Sequence, residues 1–454
     1  MSMRYKGGVI SATPPTTSTS AATGMWTLVQ QMQAQGAGAW PSPPFPGGPF
    51  WIGRLNTFAT SRSIAVDSSA NVYVFGVSAV STNDFQIAKY NSSGTIQWQR
   101  SLGGSSNDVG YSVATDSSGN VYLCGFSNAS GTINFQIAKY NTSGTIQWQR
   151  RLGSSNERGY SVAVDSSANV YVLGYSNPSS FDFQIAKYDT SGTIQWQRSL
   201  GGSVTSLGYS VAVDSSANVY VCGESNSSGT NDIQIAKYNT SGTIQWQRRL
   251  GGASINTGYS ITVDSSANVY ICGRSNVSGN YNIQIAKYNT SGTIQWQRSL
   301  GASGVNYGYS VAVDSTGNVY VSGLSNTSGS VDFQIAKYNT SGTIQWQRSL
   351  GSSSSDESYS IALDSFGNVY VCGYSNARGG DDFLFAKLPG DGSLTGTYTV
   401  GGYSYTYAAS TLTDSASSLT DVVSTLTAAT SSLTDAASSL ADAATSLTSS
   451  VTTI

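Results

Sequence analysis

The motif Asp-Ser-x-x-Asn-Val-Tyr returns seven times, at Asp67, Asp116, Asp165, Asp214, Asp264, Asp314 and Asp364, and nothing else in the chain constrains the fold as strongly. Its spacings are 49, 49, 49, 50, 50 and 50 residues. A period of that length marks a repeat architecture in which each unit is covered by its neighbours. One unit, Gly208–Leu250, divides into four strands. "YSVAVD" alternates by two and ends at the turn "DSSAN", "NVYVCG" completes a hairpin, and "IQIAKY" and "TIQWQR" flank the turn "NTSG". Asp or Asn opens these turns, and Gly or Asn supplies the left-handed position. Four strands in a repeat of this length predict propeller blades. Trp98, Trp148, Trp196, Trp246, Trp296 and Trp346 recur in the fourth strand and supply large apolar area there. The expected fold class is all-β, a seven-bladed β-propeller of four-stranded blades.

Ring closure needs a seam. The segment "FWIGRLN", Phe50–Asn56, carries the fourth-strand pattern just ahead of the first blade, whereas the last repeat degenerates after Gly392 and has no Trp. The first segment is therefore predicted to complete the last blade, with Leu394–Val400 as the competing strand. Cys124, Cys222, Cys272 and Cys372 share one slot that other repeats fill with Phe75, Leu173 and Ser322. Such a slot reads as a packing position with reduced thiols, because equivalent points on separate blades lie too far apart for disulfides.

The repeats resemble the seven-bladed β-propeller repeat family known as SBBP. The resemblance rests on "DSSGNVYLCG", on "FQIAKYNTSGTIQW" and on the count of seven, and covers roughly Phe50–Gly402. It implies the fold and says little of function, since propellers host many unrelated activities.

The two ends differ from the repeats. Residues 1–49 hold a Ser/Thr/Pro-rich stretch, a short helix signal built on Trp26, Leu28, Val29 and Met32 and stopped by Gly36, and a proline-rich linker. "YKGGVISATPPTT" and "ATGMWTLVQQMQAQGAGAWP" resemble the N-terminal segment of tailed-phage virion proteins, notably from marine cyanophages. That resemblance implies a virion-anchoring arm that contacts other virion proteins. In residues 403–454, Leu412, Leu419, Leu426, Leu433, Leu440, Leu447 and Ile454 recur every seven residues. Read as heptad d positions, with Val423 and other small residues at a and Asp414, Asp421, Asp435 and Asp442 facing water, they predict an α-helix. Its apolar stripe suits a bundle of three or more, so a parallel homotrimer is expected.

Chemistry is sparse. The chain has no histidine and a net charge of −2 with 10% charged residues, so nothing favours nucleic acid or an anionic membrane. No run of about 20 apolar residues predicts membrane insertion, and residues 1–20 lack an apolar core of signal-peptide length. No cofactor, metal or catalytic residue is expected. The sevenfold lysines of "AK", Lys89 to Lys387, are read as turn-capping or local ion-pairing groups rather than an anion-binding ring.

The two uniform turns fall on one face of the disc and the two variable loop sets on the other. Loops on a rigid scaffold are where binding resides. The candidate contact residues on the variable face are Asn107, Asp108, Glu157, Arg158, Tyr175, Phe181, Glu224, Arg274, Tyr281, Tyr307, Arg378 and Asp381. The expected function is a non-enzymatic phage virion protein, a fibre or spike-like appendage on the particle surface that displays the propeller for assembly or for contact with a host surface glycan or protein. A bacterial cell-surface or secreted lectin-like propeller is the first alternative, and a polysaccharide-degrading tail enzyme the second.

Overall fold

Strands of each repeat pair antiparallel in chain order, and seven such sheets stand around one axis. The computed structural model describes residues 49–454 except 56–58, 79–82, 130, 154–155, 177–180, 277–278, 328, 431–432, 434, 439 and 446. The helix and arm expected within residues 1–49 therefore lie outside the described residues, apart from Pro49. Blade 1 runs from the inner strand Ala59–Val66 to the outer strand Ile96–Gly103; blades 2 to 6 begin at Asp108, Arg158, Ser206, Asn256 and Asn306. Blade 7 has three strands of its own, Asp356–Leu363, Val369–Ser375 and Asp382–Leu388. Trp51–Leu55 supplies its fourth, pairing Trp51 with Lys387 and Leu55 with Phe383. The N-terminal strand thus closes the ring.

The apolar cores lie between blades rather than within them. Between blades 3 and 4, Tyr171, Leu173, Phe183, Ile185 and Leu200 meet Val211, Val219, Val221, Ala236 and Tyr238. The four cysteines are free and buried in this layer, where burial pushes their thiols up, Cys124 to about 12. Polar contacts fix the blade-to-blade distance. The hydroxyl of Ser63 accepts the Val113 N–H at 3.1 Å, and the same bond repeats at every interface through Ser112, Ser161, Ser210, Ser260, Ser310 and finally Ser360 to Ile64. At the rim, the Trp98 indole donates to Thr142 O on the next blade at 3.1 Å, and Trp51 does the same to Ser92 O across the seam. Lys89 lies over the Tyr73 ring and donates to the same Thr142 carbonyl. The sevenfold lysines are thus blade-packing groups.

The C-terminal segment is not a helix. Among the described residues there is no α-helix at all. The described residues of 403–454 are extended and circle the outside of the ring against the chain order. Tyr403–Ala409 pairs with the outer strand of blade 6, and the short strands from Thr413–Ala416 to Ser449–Thr453 pair in turn with blades 5, 4, 3, 2, 1 and 7. Five-stranded blades result, with six strands at blade 6, where the hairpin partner Gly396–Val400 is added. This corrects the four-stranded expectation. Gly396–Val400 belongs to that hairpin and not to blade 7.

The seven-residue period measures one blade per step. Extended chain rises about 3.3 Å per residue, so seven residues span about 23 Å. Each step drops one heptad residue into one inter-blade core: Leu412, Leu419, Leu426, Leu433, Leu440, Leu447 and Ile454 each join a different one of the seven. The second Gln of "IQWQR" grips the strap, as Gln247 Nε2 does on Leu426 O at 2.9 Å and Gln347 on Leu412 O at 2.8 Å. Val423, expected in a helical seam, is 65% exposed. Asp414 and Asp421, expected in water, accept the hydroxyls of buried Tyr338 and Tyr288 at 3.0 Å. With no helix, the homotrimer expected through one has no basis, and the leucines serve the ring itself.

Two outcomes follow for stability. Leu426 is buried, so Leu426→Ala should lower the unfolding free energy by about 2–5 kcal/mol, read from urea unfolding midpoints. Ala70, Ala168, Ala217 and Ala267 hold φ near +58° to +59° in the Asp turns, where other repeats have Gly119, Gly317 and Gly367. A left-handed Ala costs about 1–2 kcal/mol, and glycine loses part of that in unfolded-state entropy. Each Ala→Gly change there should therefore raise stability by roughly 0.5–1 kcal/mol.

Candidate functional site: a tyrosine-lined cup on the axis

Each inner strand opens with a β-bulge. In blade 2 the register jumps from Gly110–Gly125 to Ser112–Cys124, leaving Tyr111 without a cross-strand partner. An unpaired bulge residue can be aimed away from the sheet, and here it turns toward the axis. Blades 3 to 7 repeat the device with Tyr160, Tyr209, Tyr259, Tyr309 and Tyr359. Blade 1 keeps the bulge between Ser61 and Ser63 and puts Arg62 there instead. The glycine before the tyrosine permits the close approach: a Cβ on Gly159 would lie 2.7 Å from Cys124 Sγ of the previous blade.

The seven side chains make a closed circle. Successive tyrosine rings are 4.5, 5.5, 5.6, 5.1 and 5.1 Å apart from Tyr111 round to Tyr359. Arg62 joins the two ends, 4.9 Å from the Tyr111 centroid and 5.5 Å from that of Tyr359. Together they line an open cavity of about 210 Å³. Burial holds the phenols in their neutral, hydrogen-bonding form; that of Tyr160 is pushed up to about 12.

A second tier, different on every blade, stands beside this nearly uniform one. The residue two before the bulge tyrosine pairs with the residue after the second-strand glycine: Val109 with Phe126, Arg158 with Tyr175, Leu207 with Glu224, Thr257 with Arg274, Tyr307 with Leu324, and Glu357 with Tyr374. Glu224 accepts the hydroxyls of Tyr209 at 3.2 Å and Thr257 at 2.7 Å. Glu357 accepts those of Tyr359 at 2.9 Å and Tyr374 at 2.8 Å. Arg274 lies 4.7 Å from the Tyr307 centroid and 4.9 Å from that of Tyr281. Tyr175 packs 5.6 Å from Tyr160 and 5.1 Å from Phe181, and Arg158 lies over Phe126.

Seven of the twelve sequence-derived candidates therefore gather around the cup: Arg158, Tyr175, Phe181, Glu224, Arg274, Tyr281 and Tyr307. The others sit elsewhere. Asp108 and Glu157 are buried, and their carboxylates accept backbone N–H groups of their own loops, from Gly104 at 3.0 Å and Asn156 at 3.1 Å. Asn107 holds Asn128 through its carbonyl at 3.1 Å. Arg378 donates to Asp382 at 3.0 Å. Asp381 adjoins that pair, its carboxyl raised by burial and by the charges of Glu357 and Asp382. The tyrosine circle and Arg62 were not among the candidates, because a strand read as simple alternation gives no sign of the bulge. The available signal was the triplet Gly-Tyr-Ser in the inner strands of five repeats, Ser-Tyr-Ser in the last and Ser-Arg-Ser in the first.

Comparison with known proteins places the repeats. The beta-propeller repeat family SBBP matches residues 97–131, 147–182, 195–229, 245–282, 295–329 and 345–380, and a beta-propeller domain of unknown function matches 315–344. No curated protein matches. Solved structures similar to this chain include YCF48 bound to D1 peptide, at 10% identity and TM-score 0.45, covering 76% of this chain and 97% of the other. A polysaccharide lyase, the PL25 ulvan lyase, is similar at 11% and 0.44, covering 74% and 96%. The periplasmic gluconolactonase of Pseudomonas aeruginosa is similar at 10% and 0.42, covering 72% and 92%. At these identities and TM-scores the likeness carries no activity over to this chain. None of these matches ties the chain to a phage particle.

The buried loop carboxylates give the ring a pH signature. Burial raises Asp108 and Asp356 to about 6. A carboxyl raised on folding stabilises while protonated, fully below about pH 4, and loses that contribution as pH rises through about 6. In the turns, burial of Asp116, Asp165, Asp214 and Asp264 is outweighed by hydrogen bonds from Asn and Tyr side chains and backbone N–H groups, so these carboxyls fall below the usual range. Their contribution is present above about pH 4 and is lost on acidification. These carboxyls therefore set a stability maximum near pH 4, with a decline as pH rises through about 6. In Asp108→Asn/Asp356→Asn the urea midpoints at pH 5 and pH 7 should draw together; an unchanged gap would refute the assignment.

Proposed function

We propose that the protein is a non-catalytic, lectin-like propeller that binds saccharide in the axial cup. The observation that carries this reading is the closed circle of six tyrosines and one arginine bordered by a tier that differs on every blade. Tyrosine offers a rigid, flat apolar face with a polar tip, which suits a pyranose, whose ring is apolar on its faces and polar at its edge. The cavity of about 210 Å³ is smaller than the roughly 300–1,000 Å³ of pockets for drug-sized ligands. It therefore fits one sugar unit or the end of a chain, with the second tier in contact with what extends beyond. Glu224 and Glu357 are each tied to two hydroxyls, an arrangement that holds tyrosines in place and favours binding over bond cleavage. The appendage role implied by the N-terminal resemblance rests on residues outside the propeller.

The reading is tested by titrating the full chain with a panel of mono- and oligosaccharides while assaying the same mixtures for cleavage products. Tyr209→Ala/Tyr259→Ala should weaken binding about ten-fold or more. Phe366→Ala, an exposed change in the Asp364 turn, should leave it intact. Release of shortened sugars would remove the non-catalytic claim, and failure of every saccharide to bind would remove the lectin claim.

A further inference from the structure

Arg62 stands where six blades have tyrosine, and the backbone around it is unchanged. The bulge is kept, Ser63 still accepts the N–H of Val113, and the neighbours on both sides are the same tyrosines. A seventh tyrosine would line the cup equally well, so packing gives no reason for a cation there. Its cost is plain. The guanidinium sits half-buried between two aromatic rings, and among the described residues it forms no ion pair. Arg54, Arg249, Arg298 and Arg378, by contrast, each pair with an aspartate. Glu357, on the adjoining blade, already accepts two tyrosine hydroxyls. Contact with the two ring faces returns only about 0.5–2 kcal/mol to a partly desolvated cation.

We infer that Arg62 is the anchor for an anionic group of the bound saccharide, the carboxylate of a uronic unit or a sulfate ester. This rests on the saccharide reading above and narrows it to acidic sugars. A planar fork of N–H donors meets two oxygens of a carboxylate or sulfate at once, which an ammonium cannot do. The cup places that fork at the wall, between the rings of Tyr111 and Tyr359. The sugar ring attached to the anion is directed across the cavity onto the remaining tyrosines. Arg274, in the second tier of blade 5, three blades away round the ring, meets Tyr259, Tyr281 and Tyr307 in the same manner.

The test compares matched neutral, uronate-bearing and sulfated oligosaccharides on the full chain and on Arg62→Tyr, which restores the residue of the other six blades and so preserves the fold. Arg62→Gln serves as a second variant. The native chain should bind at least one acidic series about ten-fold tighter than the neutral one. Which of the two leads tells carboxylate from sulfate. Both variants should abolish the preference, so that acidic and neutral series bind alike. Equal binding of all series by the native chain, or a preference that survives both variants, overturns the anchor while leaving the lectin reading intact. Should no saccharide bind, that reading falls. The anchor is then judged on inorganic sulfate and acetate: an Arg62-dependent change in tyrosine fluorescence supports it, and none overturns it.

Discussion

Everything in this ring depends on each blade being covered by the next. A four-stranded sheet with Val, Ile, Phe and Tyr on both faces has no stable existence in water, and the seven cores here all lie at interfaces. Apolar burial is non-directional and would tolerate many spacings. The serine hydroxyl that accepts the next blade's N–H is directional, and it recurs at all seven interfaces, including the one between the last blade and the first. It fixes the inner radius, and the Trp and Lys contacts to the next blade's turn fix the outer one. A ring held at two radii has one closure number, which is why seven near-identical repeats form a circle and not an open spiral.

The same closure leaves two weaknesses, and the chain's ends deal with both. At the seam, Trp51–Leu55 completes blade 7, and Arg54 forms a buried ion pair with Asp382 while lying 4.3 Å from the Tyr403 ring. Breaking such a pair by removing one partner costs about 3–5 kcal/mol, so the N-terminal strand, blade 7 and the start of the strap are energetically joined. The second weakness is the outer edge of every blade, a row of unpaired backbone groups that invites pairing with another chain. The strap covers part of all seven edges. Its last strand, Ser449–Thr453, pairs with Trp51–Leu55, and Thr452 donates to Thr399 beside the strap's beginning. The ring's first strand and the strap's last strand thus secure each other.

The seven blades, the closing strand and the packed cysteines were legible in the sequence because each follows from periodicity and a known reach of chain. The strap was not, and the reason is physical. A seven-residue leucine period fits two turns of helix, and it equally fits an extended chain that advances one blade per step. Periodicity alone does not separate them. Two features of residues 411–454 point to the second: Ser and Thr dominate, with no Glu or Lys to support a helix, and the count of apolar positions, Leu412 to Ile454, equals the number of blades. The aspartates misled for the same reason. Asp414 and Asp421 look like solvent-facing helix residues, yet they partner Tyr338 and Tyr288. Where the strap has Ala428 in place of an aspartate, Tyr238 lies against it in the core with its hydroxyl left without a partner.

In a molecule built from copies, function has to reside in the departures from the copy. Turns, cores and clamps repeat because every interface makes the same demand, so a residue type that appears seven times at one place is answering that demand. This logic assigns the lysines, the turn aspartates and the tryptophans to the scaffold. It also makes an exception informative in proportion to how strictly the other copies agree. The tyrosine circle is both at once: six members line the axis alike, and the seventh is a cation that no described carboxylate neutralises. Around it the second tier differs on every blade, and its side chains meet across blade boundaries, as Glu224 does Thr257 and Arg274 does Tyr307. The symmetric part supplies an aromatic surface that any flat ring can stack on, and the asymmetric part decides which ring and in which orientation. Selectivity in this architecture therefore arises from single substitutions at sites whose geometry the other blades hold constant.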